Sequence, residues 1–294
     1  MSTRALGRRQ GFTLVELLIT LIITAVVGAA LLRMMVGQAR FMDQQEASRS
    51  ARSVARSGIN RMVSDLRALE TSLGVQAAAA GGQDITVRVP YAFGVICAHV
   101  AGLTTISLLP VDPTTYNEGG FSGLAWRNNA GVYNNLAGGA IAAGVPAVCN
   151  NGLPDRIITL PSLNGSPAGQ VIQHAGAALV PAPPRGSLIY MYRRVRYEFK
   201  ASVAVPGQLG LWRTVLNGVG VPTEELAAPF AANTRVNFYV LNNAAAQAAV
   251  PAPLTNIRGL ELVLNGQSER PPSGTTVVKS APVTTSVFFE NRPD

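Results

Sequence analysis

Glu16 is the one carboxylate in an otherwise uncharged apolar run, residues 12–32, and the chemistry open to it is ionic. A charge held at the centre of a spanning helix costs up to about 2.5–3.5 kcal/mol. Such a group is functional by default and calls for a cationic partner. The other reactive side chains are few. Cys97 and Cys149 are the only cysteines. Outside the cytoplasm they would form one disulfide, closing a loop of roughly 50 residues and contributing about 4 kcal/mol in the chain-entropy model. Two separate buried thiols are the alternative. His99 stands two residues from Cys97, a spacing that shares a strand face without forming a triad. No close Cys or His pair suggests zinc. Asp112 and Glu118 flank a loop that lacks the dense Asp/Asn spacing of a calcium site. Neither a Gly-x-Ser-x-Gly elbow nor a GxxxxGK[ST] phosphate loop occurs. The expectation is no enzyme, no metal and no cofactor.

The elements that must position Glu16 begin with a basic leader, residues 1–11, which carries Arg4, Arg8 and Arg9 and no acid. Residues 12–32 follow, long enough to cross the hydrocarbon core as a helix. Gly28-Ala29-Ala30 offers small residues to a signal peptidase, but Glu16 interrupts the apolar core such a peptide needs, and the helical pattern runs on past that point. The positive-inside rule leaves the leader in the cytoplasm and sends the rest across. Residues 33–73 contain no proline, and Ala47, Ala51, Val54, Ala55, Ile59, Met62, Leu66, Leu69 and Leu73 recur at intervals of three and four. That spacing predicts one amphipathic helix continuous with the apolar run, about 90 Å long over residues 12–73. Gly28, Gly37 and Gly58 are its expected bends. Arg49, Arg52 and Arg56 fall on another face, read either as a solvated surface or as contacts for acids on neighbouring subunits.

Gly11-Phe12-Thr13-Leu14-Val15-Glu16 behind a basic leader resembles the cleavage and methylation signal of type IV prepilins and type II secretion pseudopilins. The resemblance implies that a prepilin peptidase cuts between Gly11 and Phe12 and methylates the Phe12 amine. It further implies that Glu16 pairs with the N-terminal amine of a neighbouring subunit on assembly. The partners it brings are the peptidase, other pilin or pseudopilin subunits and the inner membrane. The location is a single-pass inner-membrane protein with its C-terminal domain in the periplasm, then a pilus or pseudopilus. Tyr197-Glu198-Phe199-Lys200, Leu211-Trp212-Arg213, Leu260-Glu261-Leu262-Val263-Leu264-Asn265 and the terminal Thr284-Thr285-Ser286-Val287-Phe288-Phe289-Glu290-Asn291-Arg292 are similar to minor pilins of the W type and to J-type minor pseudopilins.

From residue 74 the composition turns to Gly, Ala, Pro, Asn, Val and Thr. Strands are expected at residues 84–89 (ended by Pro90), 103–109, 156–160, 187–200, 208–215, 235–241, 257–264 and 283–289. Short strands without intervening amphipathic helices favour an antiparallel sheet. The fold class expected is therefore α+β: a leader at 1–11, a long helix at 12–73 packed on the sheet, and a β-rich domain at 74–294. Residues 117–154, rich in Gly, Asn and Ala, read as a long loop region in which Trp126 and Tyr133 either cover the core or contact a neighbour. The formal net charge is +8, of which the leader supplies three, and the remaining +5 is scattered apart from the helical arginines. A basic balance without a compact patch argues only weakly for nucleic acid.

Overall fold

A computed structural model describes residues 13–70, 74–100, 102–109, 120–128, 132–144, 146–149, 171–216, 223–241 and 243–289. Helix α1, Leu14–Leu66, is 53 residues long, about 80 Å at 1.5 Å per residue. Thr13 caps it: its hydroxyl accepts from the Glu16 N–H at 3.3 Å, satisfying a donor that the first turn leaves open. The helix runs through Gly28, Gly37 and Gly58 without interruption. Its first third is exposed, and the buried positions begin only at Ala47 and continue through Ala51, Ala55, Gly58, Ile59, Met62 and Leu66.

The helix stops at Leu66, short of the expected 73. Residues 67–70 turn instead, with Leu69 N–H bonded to the Leu66 carbonyl. The turn draws Leu69 into the core, so the apolar stripe outlasts the helix. A Cβ at Gly74 would collide with the Glu70 carbonyl, so glycine permits this close reversal. Residues 71–73, Leu73 among them, lie outside the described residues.

All strand pairs are antiparallel. In chain order they are β1 (Val75–Ala78), β2 (Asp84–Val100), β3 (Leu103–Leu108), β4 (Gly123–Arg127), β5 (Tyr133–Ala137), β6 (Ala140–Ala143), β7 (Val171–Ala175), β8 (Leu188–Ala201), β9 (Leu209–Val215), β10 (Thr223–Phe230), β11 (Arg235–Val240), β12 (Ile257–Gln267) and β13 (Ser280–Phe288). A short helix α2, Pro146–Cys149, follows β6. The path β11-β12-β10-β9-β8-β2-β3-β7-β6 forms the spine of one sheet, with β1 added to β2, β13 to β12, and the β4–β5 pair to β8.

Among the described residues two large apolar cores share this sheet, beside a small cluster of Ala125, Tyr190 and Tyr192. The first lies between α1 and the strands of the late sequence: Ala55, Met62 and Leu66 meet Val195, Tyr197, Leu211, Phe230, Leu260, Leu262 and Leu264. The second, built around Ile96, Ile106, Leu124, Trp126, Ile189 and Met191, includes no residue of α1. β2 and β8 run through both. Alternation explains the first core, since Val195, Tyr197 and Phe199 are buried while Arg194, Arg196 and Glu198 between them are not.

Three expectations need correction. Pro90 does not end β2: it sits where the register with β8 shifts between Pro90 and Ala92, a bulge that accommodates a residue with no N–H to donate. Within residues 117–154, β4, β5, β6 and α2 replace much of the expected loop, and Trp126 is buried in the second core with its indole N–H donated to the Pro181 carbonyl at 3.1 Å. β1, β7 and β10 are strands that the sequence pattern does not predict. The strand expected at 156–160 lies outside the described residues.

Candidate assembly site

Glu16 occupies the first turn of α1, where the helix dipole favours a negative charge. It is exposed, and among the described residues no side chain pairs with its carboxylate. Around it Leu14, Val15, Leu17, Leu18 and Ile19 are exposed too. The site is thus a lone carboxylate on an apolar cylinder that its own chain leaves bare. Gly11, Phe12, Asp112 and Glu118 lie outside the described residues.

Cys97 on β2 and Cys149 at the end of α2 form a disulfide spanning 52 residues, with their Cα atoms 4.8 Å apart. Of the two alternatives for the pair, this is the bonded one. The bond removes the Cys97 thiol from any nucleophilic role beside His99. His99 Nδ1 is instead hydrogen-bonded with Thr104 Oγ1 at 2.9 Å across the β2–β3 hairpin. His174 is fully buried and its Nε2–H donates to the Gly138 carbonyl at 3.1 Å. Both histidines hold strands together. Among the described residues no group of three or more His, Cys, Asp or Glu side chains converges as a metal site would require.

Asp65, near the end of α1, is a residue that sequence reading gave no special role. Its Oδ2 accepts from the Tyr197 hydroxyl at 2.6 Å and from Arg213 Nε at 3.2 Å, and Arg193 Nη2 stands 3.6 Å from Oδ1. Burial pushes the Tyr197 phenol well above its ordinary range, reinforced by the charge of Asp65 and the hydrogen bond to it. The phenol therefore stays a donor. The partners are 128 to 148 residues away, so no local pattern points to them. This knot fastens the C-terminal end of α1 to the sheet, at the far end of the packed segment from the exposed apolar third.

On the side of α1 away from the sheet, Arg49, Arg52 and Arg56 are exposed, as the spacing predicts. The arrangement as a whole can present an apolar helix, a single carboxylate near its tip and a rigid folded domain at its base.

Residues 6–32 match the family described as the prokaryotic N-terminal methylation motif, a stretch that takes in Gly11, Phe12 and Glu16. The match supports the type IV pilin and pseudopilin family, whose members are processed by a prepilin peptidase and are generally structural. No curated protein and no solved structure matches the chain.

Proposed function

We propose that this chain, a pilin-type protein by its N-terminal segment, is a minor structural subunit that assembles into, or primes, a type IV pilus. The observation that carries the reading is the continuity of the methylation motif with one 53-residue helix, bare over its apolar third and buried against a sheet beyond it. Cleavage between Gly11 and Phe12 frees the Phe12 amine, which the same peptidase methylates. The subunit then waits in the inner membrane, its single span at residues 12–32 and its β-rich domain, residues 74–294, in the periplasm. On assembly the exposed apolar helix joins those of other subunits, and Glu16 pairs with the N-terminal amine of a neighbour. That pairing offsets the cost of a carboxylate in an apolar bundle, and removing one partner of such a pair costs roughly 3–5 kcal/mol.

Glu16→Ala is expected to be cleaved and methylated as the parent is, yet to be absent from sheared fibres. Mass spectrometry of the mature N-terminus reads the first, and immunoblotting of the sheared fraction reads the second. Wild-type assembly of the variant would refute the pairing. A mature chain that keeps its leader, or starts near Leu31, would refute the assignment itself.

A second reading, a J-type pseudopilin of a type II secretion system, is favoured by the same motif and by the likeness of the late strands. A knockout scored for twitching motility against protein secretion separates the two. A membrane-anchored recognition module is the third reading, supported by the lobe built from β3 to β7 that stands clear of α1. Its mark would be lost adhesion with fibres intact when β4 and β5 are deleted.

A further inference from the structure

Strand β13 (Ser280–Phe288) ends one side of the sheet and, among the described residues, pairs with β12 alone. Its register with β12 runs without a shift from Gly259↔Phe288 to Gln267↔Ser280. The flanking bonds fix which residues face β12. The Phe289 N–H donates to the Arg258 carbonyl at 3.1 Å, and the Ser268 N–H donates to the Lys279 carbonyl at 2.8 Å. In an antiparallel pair the bonded residues alternate, so Ala281, Val283, Thr285 and Val287 exchange bonds with β12. Ser280, Pro282, Thr284, Ser286 and Phe288 turn their backbone groups outward, and all five are exposed. Pro282 has no N–H to give and faces the open edge, where a strand tolerates it. Among the described residues the N–H and C=O groups of Thr284, Ser286 and Phe288 have no partner.

Natural proteins blunt such edges with charges, bulges, short strands or a covering segment. Residues 280–289 carry no charge, and the pairing has no bulge. The outer edge of β11, by contrast, is covered: the Val236 N–H donates to the Gly82 carbonyl at 2.8 Å, and Phe238 exchanges bonds with Gln247 at 2.8 and 2.9 Å. What matches backbone donors and acceptors repeating at every second residue is another extended backbone. Phe288 is 50% exposed although its ring already lies against Tyr239, with 4.8 Å between centroids. An apolar side chain on an added strand would pair with it.

A second copy of this chain does not fit. Closed self-pairing of two β13 strands is antiparallel, about a two-fold axis perpendicular to the sheet. α1 lies along the sheet, meeting β12 at Ala51 and reaching β8 and β9 at Asp65. That axis would reverse α1, so the apolar thirds of the two copies would enter one membrane in opposite directions.

We propose that β13 is a docking edge that receives an extended segment of a different protein as an added strand, uncharged along residues 284–288 and apolar opposite Phe288. The exclusion of a second copy rests on the inner-membrane reading above, whereas the open edge does not.

Amide hydrogen exchange on the unaltered full-length chain tests this, in membranes from its host and after purification in detergent. The Thr284, Ser286 and Phe288 amides are expected to exchange roughly tenfold or more slowly in the membranes than in detergent, and those of Val283, Thr285 and Val287 to be protected in both. Ser286→Pro removes an outward donor and is expected to abolish the added protection at Thr284 and Phe288 while β12 keeps its own. Thr284→Lys leaves every backbone bond in place and is expected to weaken the same protection, as edge lysines do. The two cysteines are bonded to each other, so Ser286→Cys supplies a thiol that reports a second copy as a disulfide-linked dimer. Equal exchange of the outward amides in membranes and detergent overturns the proposal, as does added protection that survives both Ser286→Pro and Thr284→Lys. A Ser286→Cys dimer overturns it too, in favour of self-pairing. Recovery of the unaltered chain outside the membrane fraction is a different result, and it refutes the inner-membrane reading itself.

Discussion

The Asp65 carboxylate binds three side chains from two strands, Tyr197 and Arg193 on β8 and Arg213 on β9, and so ties the last turn of α1 to the middle of the sheet. Its side chain is 13% exposed and those of the two arginines 18%, so solvent screens this knot only in part. Removing the shared acceptor leaves a buried phenol unsatisfied and Arg193 without its counter-charge, while Arg213 keeps Glu224 at 3.3 Å. Asp65→Ala is accordingly expected to lower the stability of the detergent-solubilised chain by about 3 kcal/mol. Tyr197→Phe keeps the ring and removes only one hydrogen bond, for about 1 kcal/mol. Thermal unfolding followed by circular dichroism ranks the two, and equal losses would mean that the arginines contribute nothing to the knot. Glu16 and Asp65 mark opposite ends of one helix and differ in legibility for a physical reason. Glu16 is conspicuous because every neighbour in sequence is apolar, whereas Asp65 is one acid among many on an amphipathic surface, and its partners arrive only with the fold.

Between elements, the approach of α1 to β12 depends on small residues. A Cβ at Gly266 would collide with the Ala51 carbonyl oxygen and lie 2.9 Å from the Ala55 nitrogen, both rigid backbone atoms. Gly58 faces Leu264, Phe230 and Leu211 in the same seam, where an added Cβ would meet the first at 2.9 Å. Gly58, expected as a bend, is a point of close packing. Gly266→Ala is expected to cost about 2 kcal/mol by forcing helix and strand apart, seen as a lower melting temperature; an unchanged one would mean that the seam is looser than its distances. The helical stripe and the late strands were legible because hydrophobic periodicity reports burial directly. β10 was hidden by Glu224, Glu225 and Pro229, which are poor strand formers on average. Here Glu225 has a particular task, accepting from the Val203 and Ala204 N–H groups to hold the turn before β9. β5 and β6 give little strand signal because Asn134 and Asn135 are poor strand formers and Ile141 is the one β-branched residue among the alanines of β6. Their strand state comes from pairing with β4 and β7, which local sequence does not record.

At the scale of the molecule, the described residues form one sheet with two large cores, and only the first is braced by α1. The second has its own brace, the Cys97–Cys149 bond, which fastens α2 to β2 at the lobe's far strands. Closing a loop of 52 residues contributes roughly 4 kcal/mol in the chain-entropy model, and that stabilisation acts where the helix supplies none. Replacing both cysteines with serine is therefore expected to weaken the two cores unequally. Amide hydrogen exchange on the full chain should show protection falling in β3, β6 and β7 while β12 and β13, packed on α1, keep theirs. Uniform loss across both sets of strands would mean that β2 and β8 couple the cores into one cooperative unit.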